Sequence, residues 1–110
     1  MTKNKEEVFD VLKILETNMN KETIEKFDEL FEKKGIKEFL NDEELKISIK
    51  SLFDNNLNLS VASKKNFMHR NTLVYRVEKV KKMTGFDAKS FEDATRLKII
   101  LDIFEGHFKV

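Results

Sequence analysis

Residues Asn56–Thr84 read NLNLSVASKKNFMHRNTLVYRVEKVKKMT. Leu73, Val77, Val80 and Thr84 recur at helical spacing, and at 100° per residue they share one face. Opposite them fall Asn71, Tyr75, Glu78 and Lys82, flanked by Thr72 and Lys79. Between Lys64 and Lys82 there are seven Lys or Arg and one acid, Glu78, a local charge of +6 in a chain whose total is +1. A helix greasy behind and cationic in front is suited to a polyanion, because a phosphate backbone responds to the nearby field rather than to the net charge.

Just upstream, Ser60 is expected to cap a short helix from Val61 to about Phe67, its hydroxyl accepting from a free first-turn amide. Ala62 and Ser63 are small, as two helices crossing steeply at a short turn require. Phe67 and Met68 are expected to plug that corner from the core side. The second helix is expected over about His69–Met83, ending at Gly85. Together these features predict a helix-turn-helix whose second helix enters the DNA major groove. Arg70 and Asn71 in its first turn, with His69 and Tyr75, are the base-reading candidates, since arginine pairs with guanine and a side-chain amide with adenine. Ser60, Lys64, Lys65, Thr72, Arg76 and Lys79 are the candidates for clamping phosphates, and Lys82 extends the same cationic face.

On either side the pattern is also helical. A first helix is expected over Lys5–Asn18 from Val8, Leu12, Leu15 and Met19, with Phe9 and Val11 widening its apolar face. Asn20 should cap a second helix carrying Ile24, Phe27, Leu30 and Phe31, stopping at Gly35 as the left-handed C′ residue. Ile36, Phe39 and Leu40 then form a short apolar link. Asn41 with Glu44 has cap spacing for a third helix to about Asn55 that buries Leu45, Ile49, Leu52 and Phe53. After the basic helix, Ser90 with Asp93 resembles a capping box. The last helix runs from Phe91 to about Phe104, with Phe91, Ala94, Leu97, Leu101 and Phe104 on one side and Ile100 and Ile103 broadening it. It is expected to pack behind the basic helix. The apolar stripes of the first three helices suit either the core or a dimer interface.

The predicted class is therefore all-α: a helical bundle containing a helix-turn-helix, with additional N-terminal amphipathic helices. The 110 residues suit a single domain, and 40% apolar content with ten Phe supplies its core. Three Gly and no Pro fit helices joined by short corners, and the absence of Cys removes disulfide and thiolate chemistry. No apolar run approaches the roughly 18 residues of a membrane span, and the charged N-terminus lacks a signal-peptide core, so a cytoplasmic location is expected. Charge also divides the chain: residues 1–56 hold ten basic and fourteen acidic side chains, and residues 57–110 hold eleven and six. Only the second half is built to meet a polyanion.

The string His69-Arg70-Asn71-Thr72-Leu73-Val74-Tyr75-Arg76-Val77 resembles the C-terminal helix-turn-helix of PucR-type transcriptional regulators. That family's pattern, about N-x-S-x-x-A-x-x-L-x-V-H-x-N-T-L-x-Y-R-L followed by T-G-x-D, is met by Asn58, Ser60, His69, Asn71, Thr72, Leu73, Tyr75, Arg76, Thr84, Gly85 and Asp87. A looser likeness to Fis-type helix-turn-helix units shares the same corner. The resemblance covers about Glu43 to Phe104. It implies a PucR-like region at 43–105 preceded by a helical region at 1–42 for packing or dimerisation, with His69, Asn71, Thr72, Tyr75 and Arg76 as signature residues. Ser63 replaces the family's small residue, and Asn66 its following Leu. Either Asn66 caps the corner or the register locally differs. The larger sensor or GGDEF-like regions usual in the family have no counterpart here, so no effector is implied.

The expected function is a sequence-specific DNA-binding transcriptional regulator, acting as a homodimer on double-stranded DNA. The alternative is a helical interaction module that docks on another regulator. An enzyme is not expected. His69 and His107 are the sole histidines, no nucleophile, base and orienting acid assemble around either, and neither metal spacing nor a Gly-rich phosphate loop appears. No cofactor is expected.

Overall fold

The computed structural model describes residues 11–108. These residues form seven α-helices: α1 (Val11–Thr17), α2 (Lys21–Glu32), α3 (Lys34–Leu40), α4 (Glu43–Asp54), α5 (Leu59–Lys65), α6 (Arg70–Thr84) and α7 (Phe91–Ile103). A π-helical turn follows over Phe104–Phe108. No strand occurs among the described residues, so the chain is all-α as expected. No helix among them is long and apolar enough to cross a membrane. Val8 and Phe9 lie outside the described residues.

The core follows from the helical periodicities. Phe39 and Leu40 of α3, Leu45, Ile49 and Leu52 of α4, Leu73, Val77 and Val80 of α6, and Leu97 and Leu101 of α7 converge in one buried cluster. Phe31 of α2 closes one end, edge-on to Phe104 with ring centroids 5.3 Å apart, an arrangement aromatic quadrupoles favour. Helix α6 is backed by α3, α4 and α5, whereas α7 packs against α4 and α1. The support behind the basic helix therefore comes chiefly from α3 and α4, not from the last helix as expected. Phe91 also departs from expectation. It is 81% exposed, because it opens α7 before that helix reaches the core. In α1, Leu15 is exposed while Met19 beyond it packs against the core.

The caps show where local sequence competed with packing. Asn20 caps α2 as expected, its side-chain oxygen accepting from Thr23 N at 2.8 Å. The cap of α4 is Asp42, accepting from Leu45 N at 3.1 Å, rather than its neighbour Asn41, whose amide donates back to Lys37 O. Ser90 sits at the N-cap of α7 without a side-chain cap bond. Asp93 reaches instead to Asp87 N at 3.0 Å, tying down the loop before the helix.

Gly35 does not end α2. The break falls at Lys33, whose extended backbone separates α2 from α3, and Gly35 lies inside α3. The segment Ile36–Leu40, expected as a link, is helical and its three apolar residues are buried. Glycine is required here for close approach: a Cβ at position 35 would lie 1.7 Å from Met83 O, the backbone of α6. Elsewhere in the core a charge is buried. Lys46 of α4 is 1% exposed, pairs with Glu43 at 2.9 Å and stands 5.7 Å over the Phe104 ring.

Candidate nucleic-acid interface

Helices α5 and α6 with the corner Asn66–His69 form the unit expected from the sequence. Helix α5 begins two residues earlier than a Ser60 cap would put it. Asn58 is the cap, accepting from Val61 N at 2.9 Å, and Ser60 becomes an exposed first-turn residue. Ala62 and Ser63 are buried, and the Ala62 carbonyl accepts from the Ser51 hydroxyl of α4 at 3.3 Å. The small residues thus bring α5 against α4 as well as α6.

Asn66 ends α5 and resolves the choice left by the sequence: it caps. Its amide nitrogen donates to Ala62 O at 2.9 Å and to the Ser51 hydroxyl. The chain then reverses in a Schellman arrangement, with Phe67 N donating to Lys64 O at 3.2 Å and Met68 N to Ser63 O at 2.8 Å. Phe67 occupies the left-handed position with φ 52°. The expectation that it plugs the corner is overturned: its side chain is 99% exposed. The left-handed turn swings its Cβ outward, and Met68 alone packs against the core.

His69 caps α6 through its ring, Nδ1 accepting from Asn71 N at 3.1 Å. This places Arg70 and Asn71 in the first turn, both exposed. Tyr75, one turn on, is 65% exposed. With Leu73, Val77 and Val80 buried, Asn71, Tyr75 and Lys82 point away from the core, and Thr72 is half-buried beside them. The helix ends at Gly85, left-handed with φ 84°, its N–H returning to Lys81 O at 2.8 Å.

Among the described residues, Lys64, Lys65, Arg70, Lys79, Lys81 and Lys82 are exposed and make no ion pair, and the same holds for Lys21, Lys26, Lys33 and Lys34 along α2 and α3, whereas Lys37, Lys46, Lys50, Arg76, Lys89, Arg96 and Lys98 are paired. Glu78, the one acid within the basic run, is half-buried and engaged by Lys89 at 3.6 Å. The corner and α6 therefore carry exposed cations outside any ion pair. Lys81, outside the candidates read from the sequence, is exposed as well, and its charge acts on Asp93 at the start of α7.

Arg76 differs in kind. It is partly buried, its Nη1 donates to Ser48 Oγ at 3.0 Å, and its Nη2 meets Glu44 at 3.3 Å. The guanidinium faces α4 and ties α6 to it.

The sequence of residues 47–103 matches the model of the PucR C-terminal helix-turn-helix domain. The chain is similar to "Uncharacterized protein YxkF" of Bacillus subtilis (strain 168), with 36% identity over 70 residues, 64% of this chain and 24% of that protein. It is also similar to "Carbohydrate diacid regulator" of Escherichia coli (strain K12), with 34% identity over 61 residues, 56% of this chain and 16% of that protein. The match thus spans a quarter or less of each relative. No solved structure matches the chain.

Proposed function

The chain belongs to the PucR C-terminal helix-turn-helix family, and from that premise we propose that it binds duplex DNA sequence-specifically to regulate transcription, with the first turns of α6 in the major groove. Arg70 and Asn71 read base edges, with His69 and Tyr75 beside them. Ser60, Lys64, Lys65, Thr72, Lys79 and Lys82 hold phosphates, which positions the helix without itself reading sequence. Arg76 acts behind them as a positioning residue that sets the roll of α6 on α4. The observation that carries the reading is that Lys79 and Lys82, exposed and unpaired, lie on the side of α6 that also presents Asn71 and Tyr75, with Lys64, Lys65 and Arg70 exposed and unpaired about the corner before it.

One such unit covers about one half-site, so two copies on a pseudo-palindrome give the specificity a genome requires. In this reading residues 43–105 form the DNA-binding unit, and residues 1–42 contribute packing and the dimer contact.

A salt titration tests the binding mode. Release of counterions from six to ten phosphate contacts lowers affinity for duplex by about three to five decades between 50 and 200 mM salt. A steep linear fall of log K with log salt supports the reading. Affinity for duplex that is absent, or that stays flat over that range, contradicts it and turns attention to an acidic protein partner.

A further inference from the structure

Phe67 is held at the C′ position of a Schellman turn, where helices ordinarily place glycine because a side chain strains the left-handed backbone. The structure offers its own comparison. The same turn ends α4, with Leu57 N donating to Leu52 O at 2.8 Å; there the C′ residue is Asn56, a type that tolerates the left-handed region, and Leu57 after it, also left-handed with φ 62°, packs against the core. At the α5–α6 corner the chain instead carries a bulky aromatic, and 99% of its surface faces solvent. Among the described residues neither the strain nor the exposure is offset by packing, and such costs concentrate at functional positions.

The surroundings indicate what the ring meets. Lys64 and Lys65 precede it, His69 and Arg70 follow it, and no acid occurs between Asp54 and Glu78. It stands two residues before the cap of α6, beside the turn that the preceding reading places against base edges. In the major groove the apolar feature available to an aromatic ring is the C5-methyl of thymine.

We propose that Phe67 is a specificity-determining contact whose ring packs on the C5-methyl of a thymine bordering the bases read from the first turn of α6. This rests on the reading that α5 and α6 bind duplex DNA. It assigns sequence information to the corner itself, in addition to the helix.

The test uses the full chain as wild type, Phe67→Gly and Phe67→Leu. Bound sequences are selected from a random duplex library with the wild type, and each thymine of the enriched duplex is then replaced in turn by uracil, which pairs identically but lacks the methyl. The wild type is expected to lose about fourfold in affinity at one thymine, the effect of burying a single methyl group. Phe67→Gly should bind the thymine duplex about as weakly as the wild type binds that uracil duplex, and should show no further loss with uracil. Phe67→Leu should keep part of the discrimination. Because glycine relieves the turn, Phe67→Gly is expected to melt no lower than wild type, which separates lost contact from lost fold. An enriched site without thymine, no uracil penalty at any position, or the same penalty in Phe67→Gly as in wild type overturns the contact while leaving the DNA-binding reading intact. Failure of the wild type to enrich any sequence overturns both.

Discussion

Arg76 of α6 donates to the hydroxyl of Ser48 on α4 at 3.0 Å, and that hydroxyl in turn donates to the Glu44 carbonyl at 2.9 Å within α4. Ser48 is fully buried. The pair joins the cationic helix to the helix behind it through a charge-assisted bond, the stronger kind. The outer partner, Glu44, is largely exposed and adds little, because solvent screens it.

Removing Arg76 should therefore act on the fold. Arg76→Ala is expected to lower unfolding free energy by about 1.5–3 kcal/mol, as loss of a charged hydrogen bond does. Glu44→Gln should stay within about 0.5 kcal/mol. Urea denaturation of the two variants checks both. An Arg76→Ala protein as stable as wild type that has lost only duplex affinity would place this guanidinium on phosphate instead.

Gly35 tests the approach of α3 to the end of α6. A methyl there meets Met83 O at 1.7 Å, a backbone atom that moves only if a helix moves. Alanine would ordinarily gain about 0.5–1 kcal/mol inside a helix. Here Gly35→Ala is expected to destabilise by about 1–3 kcal/mol net, the range for overpacking. Thermal melts of the variant settle the sign, and a raised midpoint contradicts the close contact.

Lys46 is buried, and its carboxylate partner among the described residues, Glu43, is itself largely exposed. Replacing a buried charge by an apolar side chain of similar volume is often neutral or stabilising. Lys46→Met is thus expected to match or exceed wild-type stability in urea, whereas Lys46→Ala should lose about 2–3 kcal/mol through the cavity it leaves. Loss of stability in Lys46→Met as large as in Lys46→Ala would show that the charge itself matters.

Asp93 predicts a pH dependence. The backbone N–H of Asp87 holds its carboxyl below the ordinary value of 3.8, burial pushes the other way, and Arg96 adds to the lowering. A group lowered on folding stabilises the native state above its unfolded value, and that contribution is lost as pH falls through the lower folded value. Acid titration below about pH 4 should accordingly loosen the loop before α7. Asp93→Asn should flatten that part of the profile, and an unchanged acid limb in the variant contradicts the role.

Much of this architecture is legible in the residues. The stripe Leu73-Val77-Val80 predicts which face of α6 is buried because a helix repeats every 3.6 residues whatever surrounds it. Asn20 is legible as a cap for a similarly local reason. Where reading failed, the deciding partner was distant or conformational. Gly35 resembles a helix stop until Met83 is seen against it. Phe67 resembles a core plug, since composition does not reveal that its backbone turns left-handed and points the ring outward. Ser60 and Asn58 are both good caps two residues apart, and the start of α5 selects between them. Lys46 has a polar name and an apolar address, set by the packing of α4 against the C-terminal turn.

The most direct measurement of the central claim compares Arg70→Ala with Lys79→Ala on the selected duplex and on random duplex. With the first turn of α6 in the major groove, Arg70→Ala loses about 1–3 kcal/mol on the selected duplex and far less on random sequence, while Lys79→Ala weakens both alike and reduces the salt slope by about one. Equal losses on both duplexes for both variants would contradict a reading helix at this position.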